Sequence, residues 1–240
     1  MISSKSPVIY WLREDLRIHD NLALTEAAKD NKNLILVYFN TYLDKQLESA
    51  EKAWINNSFS EISKKYHEIY GINIQCYDGD PIQYLQELHN RFGVSEIYIN
   101  EVFDPRTKKK DVKIKKHFAG QIIFKTYNSH LLFDPEEIKN NAGLYFKVYT
   151  PFWRNCLSKL AVRKPLRPPK EINVFQDKYL KDIHNLSFNY PLWANKLFKY
   201  FTPGENAARL KLKELGNLIK GYSSNRDFPN KDTTSKFSMY

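Results

Sequence analysis

Between Val8 and Phe124, five short apolar runs alternate with stretches of helical period, and this rhythm constrains the fold more than any other feature of the chain. The runs are VIYWL (8–12), LILVYF (34–39), INIQCY (72–77), EIYIN (96–100) and QIIF (121–124), each the length of a buried strand. The segments between them read as helices. One covers 21–29 behind a candidate cap at Asp20, and a long one runs from about 50 to 70, closed by Gly71. A third is opened by Asp80-Pro81, runs to Phe92 and is followed by Gly93; a basic fourth extends from about 106 to 118. Strands and helices in this alternation predict an α/β domain built on a doubly wound, parallel, five-stranded sheet. Ligands of such sheets sit beyond the carboxyl ends of the strands, so Arg13, the loop after Phe39 and the segment 100–106 are expected around any pocket.

The 240 residues leave room for one large domain, or for one domain and part of another. A hydrophobic share of 42% beside 27% charged residues suits a chain that buries a sizeable core. Net charge is +10, which favours polyanions, nucleic acid first among them; a coding bias towards Lys, Asn and Ile explains the charge equally well. The two cysteines, Cys76 and Cys156, form neither a metal-ligand spacing nor a disulfide framework, which suits a reducing cytosol. Arg13, Glu14 and Asp15 interrupt the first apolar run before it reaches signal-peptide form, and nothing approaches the roughly 18 apolar residues of a membrane span. A cytoplasmic location is therefore expected, with no membrane partner.

Beyond residue 135 the periodicity fades. The stretch 136–200 reads as a connector lying on a surface, and its proline-rich part, 164–191, is the expected site of protease nicking. From Pro203 the pattern is helical again, with Ala207, Leu210, Leu215 and Leu218 near one face. One amphipathic helix cannot bury its stripe alone, so this one must dock on the α/β domain or on another partner. The chain thus divides into an α/β domain over 5–135, a connector over 136–200 and the start of a helical unit over 201–240.

Three stretches carry a family resemblance. WLREDLRIHDNLAL (11–24) resembles the opening signature of the DNA photolyase/cryptochrome family, and LYFKVYTPFWRNCL (144–157) resembles the segment that follows its antenna domain. PGENAARLKLKELGNLIKGYSSNRDFPNKDTTSKFS (203–238) is similar to the entry to its flavin-binding domain. All three occur in family order. The resemblance implies a Rossmann-like antenna domain, a long connector and the first helix of a truncated all-helical FAD domain. The parent activity is the light-driven splitting of pyrimidine dimers in DNA by a reduced flavin.

On this resemblance, Tyr222, Thr234, Ser235, Lys236, Phe237 and Ser238 stand where the family wraps the flavin phosphates, as one strip of an FAD site. Hydroxyls and successive backbone N–H groups suit an anion there, and Lys236 adds positive charge. Arg226 matches a position that approaches the DNA backbone. Arg13 and Asp104 match the neighbourhood of an antenna pocket that holds a folate, a deazaflavin or a flavin in other members. Folate-binding members carry an Asn-Glu pair where this chain has Arg106-Thr107. Arg13 serves equally well as a structural partner of Asp15 or Asp20. The basic run RTKKKDVKIKK (106–116) reads as a solvated face, with nonspecific phosphate attraction as the alternative.

No Ser-His-Asp or Cys-His arrangement, glycine-rich phosphate loop or metal spacing supplies another active site, so no catalytic residue and no metal are assigned. Trp11, Trp54, Trp153 and Trp193 read as packing. Three functional expectations stand side by side. The chain is the N-terminal half of a photolyase completed by a separate C-terminal chain; or it is a decayed remnant; or it is a stand-alone module for a folate, flavin or nucleotide. The first two share one consequence, that the chain alone lacks photolyase activity.

Overall fold

The structure is a computed structural model that describes residues 6–40, 49–159, 161–180, 190–231 and 234. At its centre lie β1 (Val8–Leu12) and β2 (Leu34–Phe39), whose residues are all buried. With β3 (Gln75–Tyr77), β4 (Glu96–Asn100) and β5 (Ile123–Tyr127) they form one parallel sheet in the order β3-β2-β1-β4-β5. The winding runs outward from β1 through β2 to β3, then crosses back to β4 and on to β5. Its direction reverses between β1 and β4, and a crevice is expected at their carboxyl ends.

The strand period of two sends alternate side chains to opposite faces. Tyr10, Leu12 and Tyr38 pack with Phe59, Ile62 and Tyr66 on one side. Those three partners belong to α2 (Ser49–Tyr70), which shares the face with α1 (Leu22–Ala27). Ile9, Trp11 and Val37 face the other way, towards α3 (Pro81–Phe92) and α4 (Pro105–His117). Continuous apolar strands are what a sheet covered on both faces requires.

Several element ends differ from the sequence expectation. The cap of α1 is Asn21, whose side chain accepts the Leu24 N–H, and not Asp20. Asp20 has φ 52 and turns instead to the connector, accepting the Leu166 N–H at 3.0 Å and pairing with Arg163. Ile72 and Ile74 are buried without belonging to a strand, so β3 is shorter than its apolar run. On the other edge the strand begins later and continues through Lys125-Thr126-Tyr127, because the Gln121 and Ile122 N–H groups close the turn after α4 on Phe118 O.

The connector is stitched to the domain. Leu34 N–H donates to Asn173 O at 2.7 Å and Phe175 N–H donates to Leu34 O at 3.0 Å, extending the pairing of β2. Ile172 enters the core, Tyr70 Oη donates to Pro169 O at 2.7 Å, and Phe92 meets Phe175 edge to face. An unforeseen helix, α5 (Tyr149–Ser158), occupies YTPFWRNCLS; its Pro151 sits in the first turn, where no helical N–H partner is lost. A 3₁₀ segment (Leu192–Lys199) leads to α6 (Glu205–Asn225). On α6, Leu215 and Leu218 are half-buried while Leu210 points outward, so the expected leucine stripe is split between two faces.

Candidate functional site

The carboxyl ends of β1 and β4 meet in a buried polar network. Asp15 accepts hydrogen bonds from Tyr10 Oη at 2.6 Å, from the Arg13 N–H at 2.9 Å, from Asn21 Nδ2 at 3.2 Å and from Asn100 Nδ2. Burial, reinforced by Asp15, pushes the Tyr10 phenol well above its ordinary pKa, so it stays a neutral donor. These groups fill the switch point itself and hold the loop after β1 in place.

Arg13 reaches the other way. Its guanidinium makes a bidentate pair with Asp111 on α4, Nη1 to Oδ2 at 2.9 Å and Nη2 to Oδ1 at 2.7 Å, and lies over the Trp11 ring. Asp111 is thus its carboxylate partner, in place of the Asp15 or Asp20 pairing considered from sequence. Asp104 caps α4, accepting the Thr107 N–H at 2.8 Å, and this hydrogen bond draws its carboxyl below the usual range. Arg106 is exposed and Thr107 is buried in that cap.

Beside the filled switch point opens a cleft of about 290 Å³, lined by Arg13, Arg17, Tyr38, Trp54, Ser58 and Glu205 among others. It lies between the ends of β1 and β2, the middle of α2 and the start of α6. Tyr38 is 1% exposed, and its buried hydroxyl has no hydrogen-bond partner among the described residues. Burial raises its pKa far above that of a free phenol, so it presents a neutral hydroxyl at the cleft wall. An unsatisfied buried hydroxyl is costly, which is the condition a polar ligand edge relieves.

The far wall depends on Glu205. Its carboxylate accepts the backbone N–H groups of His19 at 2.8 Å and Ile18 at 3.2 Å, and the Lys65 ammonium at 3.1 Å. Burial works against this charge, but the His19 and Ile18 donors and then Lys65 outweigh it, and the Glu205 pKa falls. Gly204 precedes it with φ 99 and ψ 165, and a Cβ there would stand 2.8 Å from Glu61 Oε2. Tyr38, Trp54 and the Gly204-Glu205 pair were not singled out as site residues from sequence. Tyr38 sits inside a strand and Trp54 inside a helix, where periodicity assigns both to packing. The sequence signal for the third is glycine directly before a helix that opens with glutamate.

Of the expected flavin strip, Tyr222 lies near the end of α6, 44% exposed, with the Arg226 guanidinium 5.7 Å from its ring centre. Thr234 is exposed; Ser235, Lys236, Phe237 and Ser238 lie outside the described residues. The basic face of α4 carries Lys108, Lys109, Lys113 and Lys116 in solvent. No helix among the described residues is long and apolar enough to cross a membrane.

The family model for DNA photolyase matches residues 8–171. A deoxyribodipyrimidine photo-lyase of Agrobacterium fabrum is 30% identical over 98% of the chain and 50% of its own length. The chain thus spans half the length of that relative. The crystal structure of a bacterial class III photolyase from Agrobacterium tumefaciens superposes with a TM-score of 0.87 at 29% identity, over 99% of this chain and 51% of that one. An uncharacterized 31.6 kDa protein of Synechococcus is 25% identical over 96% of the chain, and there the match covers 82% of the relative.

Proposed function

Because the chain belongs to the DNA photolyase family, whose members are flavoproteins acting on DNA, we propose that it is the N-terminal half of a deoxyribodipyrimidine photolyase. It supplies the antenna domain and the first strip of the FAD site, and it works only when joined to a C-terminal half. The carrying observation is the collinear match of nearly the whole chain to half of a photolyase. The activity of the joined halves is the light-driven, FAD-dependent splitting of pyrimidine dimers, with bound flavin supplying the photochemistry.

Within this reading, Tyr222 and the hydroxyls of Thr234, Ser235 and Ser238 hold the flavin phosphates, aided by Lys236 and the backbone at Phe237. Arg226 approaches the DNA backbone. The exposure of Tyr222 and Thr234 leaves both available to such a ligand. Pockets that retain a ligand of this size enclose most of its surface, which one strip cannot do. The chain alone therefore binds FAD more weakly than about 1 μM, or roughly 8 kcal/mol. Flavin fluorescence anisotropy tests this: tight saturable binding by the chain alone would overturn the need for a second half.

The cleft beside β1 and β2 is the antenna pocket in this reading, suited to the edge of a folate, deazaflavin or flavin ring. Tyr38 Oη donates or accepts at that edge, Trp54 offers a face for stacking, and Arg17 attracts a charged tail. Arg13 contributes by holding the wall to α4, and Asp104 by fixing the start of α4 next to the loop that follows β4. Tyr38→Phe then weakens antenna binding about fivefold without unfolding the domain, the loss of one hydrogen bond of about 1 kcal/mol. Unchanged affinity for all three chromophores would exclude Tyr38 from the site.

A second reading has its own support. The Synechococcus relative is matched over most of its length, so it is close to this chain in size. A stand-alone chromophore-binding module, or a decayed photolyase remnant, fits that observation. Chromophore binding at the cleft with no response to a C-terminal half distinguishes it from the split enzyme.

A further inference from the structure

Seven of the 13 residues of α4 are Arg or Lys, and its single acid is Asp111. That acid is turned inward, buried in the bidentate pair with Arg13, so no acid of the helix offsets the cations on its outer face. At 3.6 residues per turn, Lys109, Lys113 and Lys116 fall within an arc of about 60° and span about 10.5 Å along the axis. All three are exposed, and their ammonium groups make no hydrogen bond or ion pair with any described residue. Arg106, also exposed, continues the stripe one turn earlier. The acids at the start of the helix are already engaged: Asp104 accepts the Thr107 N–H, and Glu101 pairs with Lys108 at 3.2 Å. Like charges three and four residues apart on a helix repel one another. Burial of Thr107, Asp111 and Ile114 on the inner face holds α4 in place against that repulsion, which a bound polyanion relieves.

We propose that the outer face of α4 is a track for the phosphate backbone of duplex DNA, bound without regard to sequence or damage. Lys109 to Lys116 cover the axial length of about three phosphates of one strand, at ~3.4 Å each. An anionic membrane is the poorer match, because insertion needs an apolar flank and Val112 is the only large apolar side chain that α4 exposes. Single strands are held on exposed aromatic platforms, and α4 has no Phe, Tyr or Trp. The track lies on the sheet face opposite α2, whereas Glu205 at the start of α6 is fastened to Lys65 of α2. It is carried by a different helix from Arg226 and needs neither flavin nor a C-terminal half. The choice of DNA over duplex RNA rests on the photolyase reading; the charge track does not.

The test is fluorescence anisotropy of an end-labelled, undamaged DNA duplex, titrated in the dark with the full chain from about 50 to about 200 mM salt. The chains compared are wild type, Lys109→Gln/Lys113→Gln/Lys116→Gln and the same three positions changed to Arg. Lys64→Gln/Lys170→Gln/Lys178→Gln is the control, removing equal charge from exposed positions elsewhere. Thermal melts confirm that each variant is folded. The proposal expects the slope of log K against log salt to become shallower by about 2.7 in the α4 glutamine variant, about 0.9 for each lost ammonium. The arginine variant keeps the wild-type slope, because guanidinium retains the charge, and the control changes it by less than about 1. Equal losses in the two glutamine variants would show attraction by net charge alone and overturn the track. No DNA binding by the wild type would overturn it as well, leaving the split-enzyme reading to its own FAD measurement. Tight FAD binding by the chain alone would sink that reading and leave the track standing. An RNA duplex held as tightly as DNA through the same lysines would overturn the choice of DNA. Binding through them to phosphatidylserine vesicles and not to DNA would overturn the duplex as partner.

Discussion

Glu205 reaches back across 186 residues of chain to His19, taking one hydrogen bond from its backbone N–H and sharing another with its ring Nδ1, each at 2.8 Å. This carboxylate, with Lys65 on its other oxygen, joins the contact of Arg209 with the His19 ring in fastening α6 to the α/β domain. Glu205→Ala leaves the His19 and Ile18 N–H groups without their acceptor and removes one of the two carboxylates beside Lys65, a loss of about 1–3 kcal/mol. Amide exchange should quicken throughout α6 while β1 and β2 keep their protection. Since the folded pKa of Glu205 is lowered, its contribution is complete above the ordinary carboxylate value and disappears as pH falls below it. Release of α6 on acidification, absent in Glu205→Ala, checks the sign.

Gly204 sets the angle at which α6 leaves the 3₁₀ segment. Its φ of 99 and ψ of 165 belong to a region reserved for glycine, and an added Cβ also meets Glu61. Gly204→Ala should lower stability by about 1–3 kcal/mol. Gly216, inside α6 with open space around it, is the control: there alanine should stabilise by a few tenths to about 1 kcal/mol. Thermal melts of the two variants should move in opposite directions.

Asp111→Ala removes the bidentate carboxylate partner of the buried Arg13 guanidinium. The pair is nearly closed to solvent, with side-chain exposures of 2% and 10%, so breaking it should cost about 3–5 kcal/mol. Arg13→Lys keeps the charge but not the two-pronged geometry, and should fall between wild type and Asp111→Ala. Urea midpoints at constant m report the order.

At the other end of the sheet, Glu96 is held by Lys125, Tyr98 and Lys32, at 2.9, 2.8 and 3.1 Å. Burial opposes its charge, but these hydrogen bonds win and hold its pKa at about 2. An unfolded glutamate titrates near pH ~4.3. Its stabilisation is therefore complete above that value and is lost as pH falls from ~4.3 towards 2. Glu96→Gln should flatten the melting temperature across that interval, relative to wild type.

Limited trypsin digestion should spare Lys170, although the proline-rich stretch reads as the nicking site. Pro169 O, Asn173 O and the Phe175 N–H are engaged with Tyr70 and Leu34, and a protease must pull its substrate strand free. Early cleavage at Lys170 would show that the connector opens locally.

The strands and the helices over the sheet were legible because burial on both faces demands continuous apolar runs, and helical crossovers demand their own period. Asp80 and Gly93 marked the ends of α3 through cap chemistry that acts within a few residues. The family followed from motifs in order along the chain. Contacts between distant residues were another matter. Arg13 had nearby acidic residues to choose from, and only the approach of α4 to β1 selected Asp111. Asp20 looked like a cap until the connector returned with Leu166 and Arg163. Tyr38 reads as an ordinary strand residue, and its unpaired hydroxyl becomes visible only where β2, α2 and α6 converge. Local propensity acts over a few residues and is written in their order, whereas the pairing of buried charges and the shape of a cleft depend on which surfaces folding brings into contact.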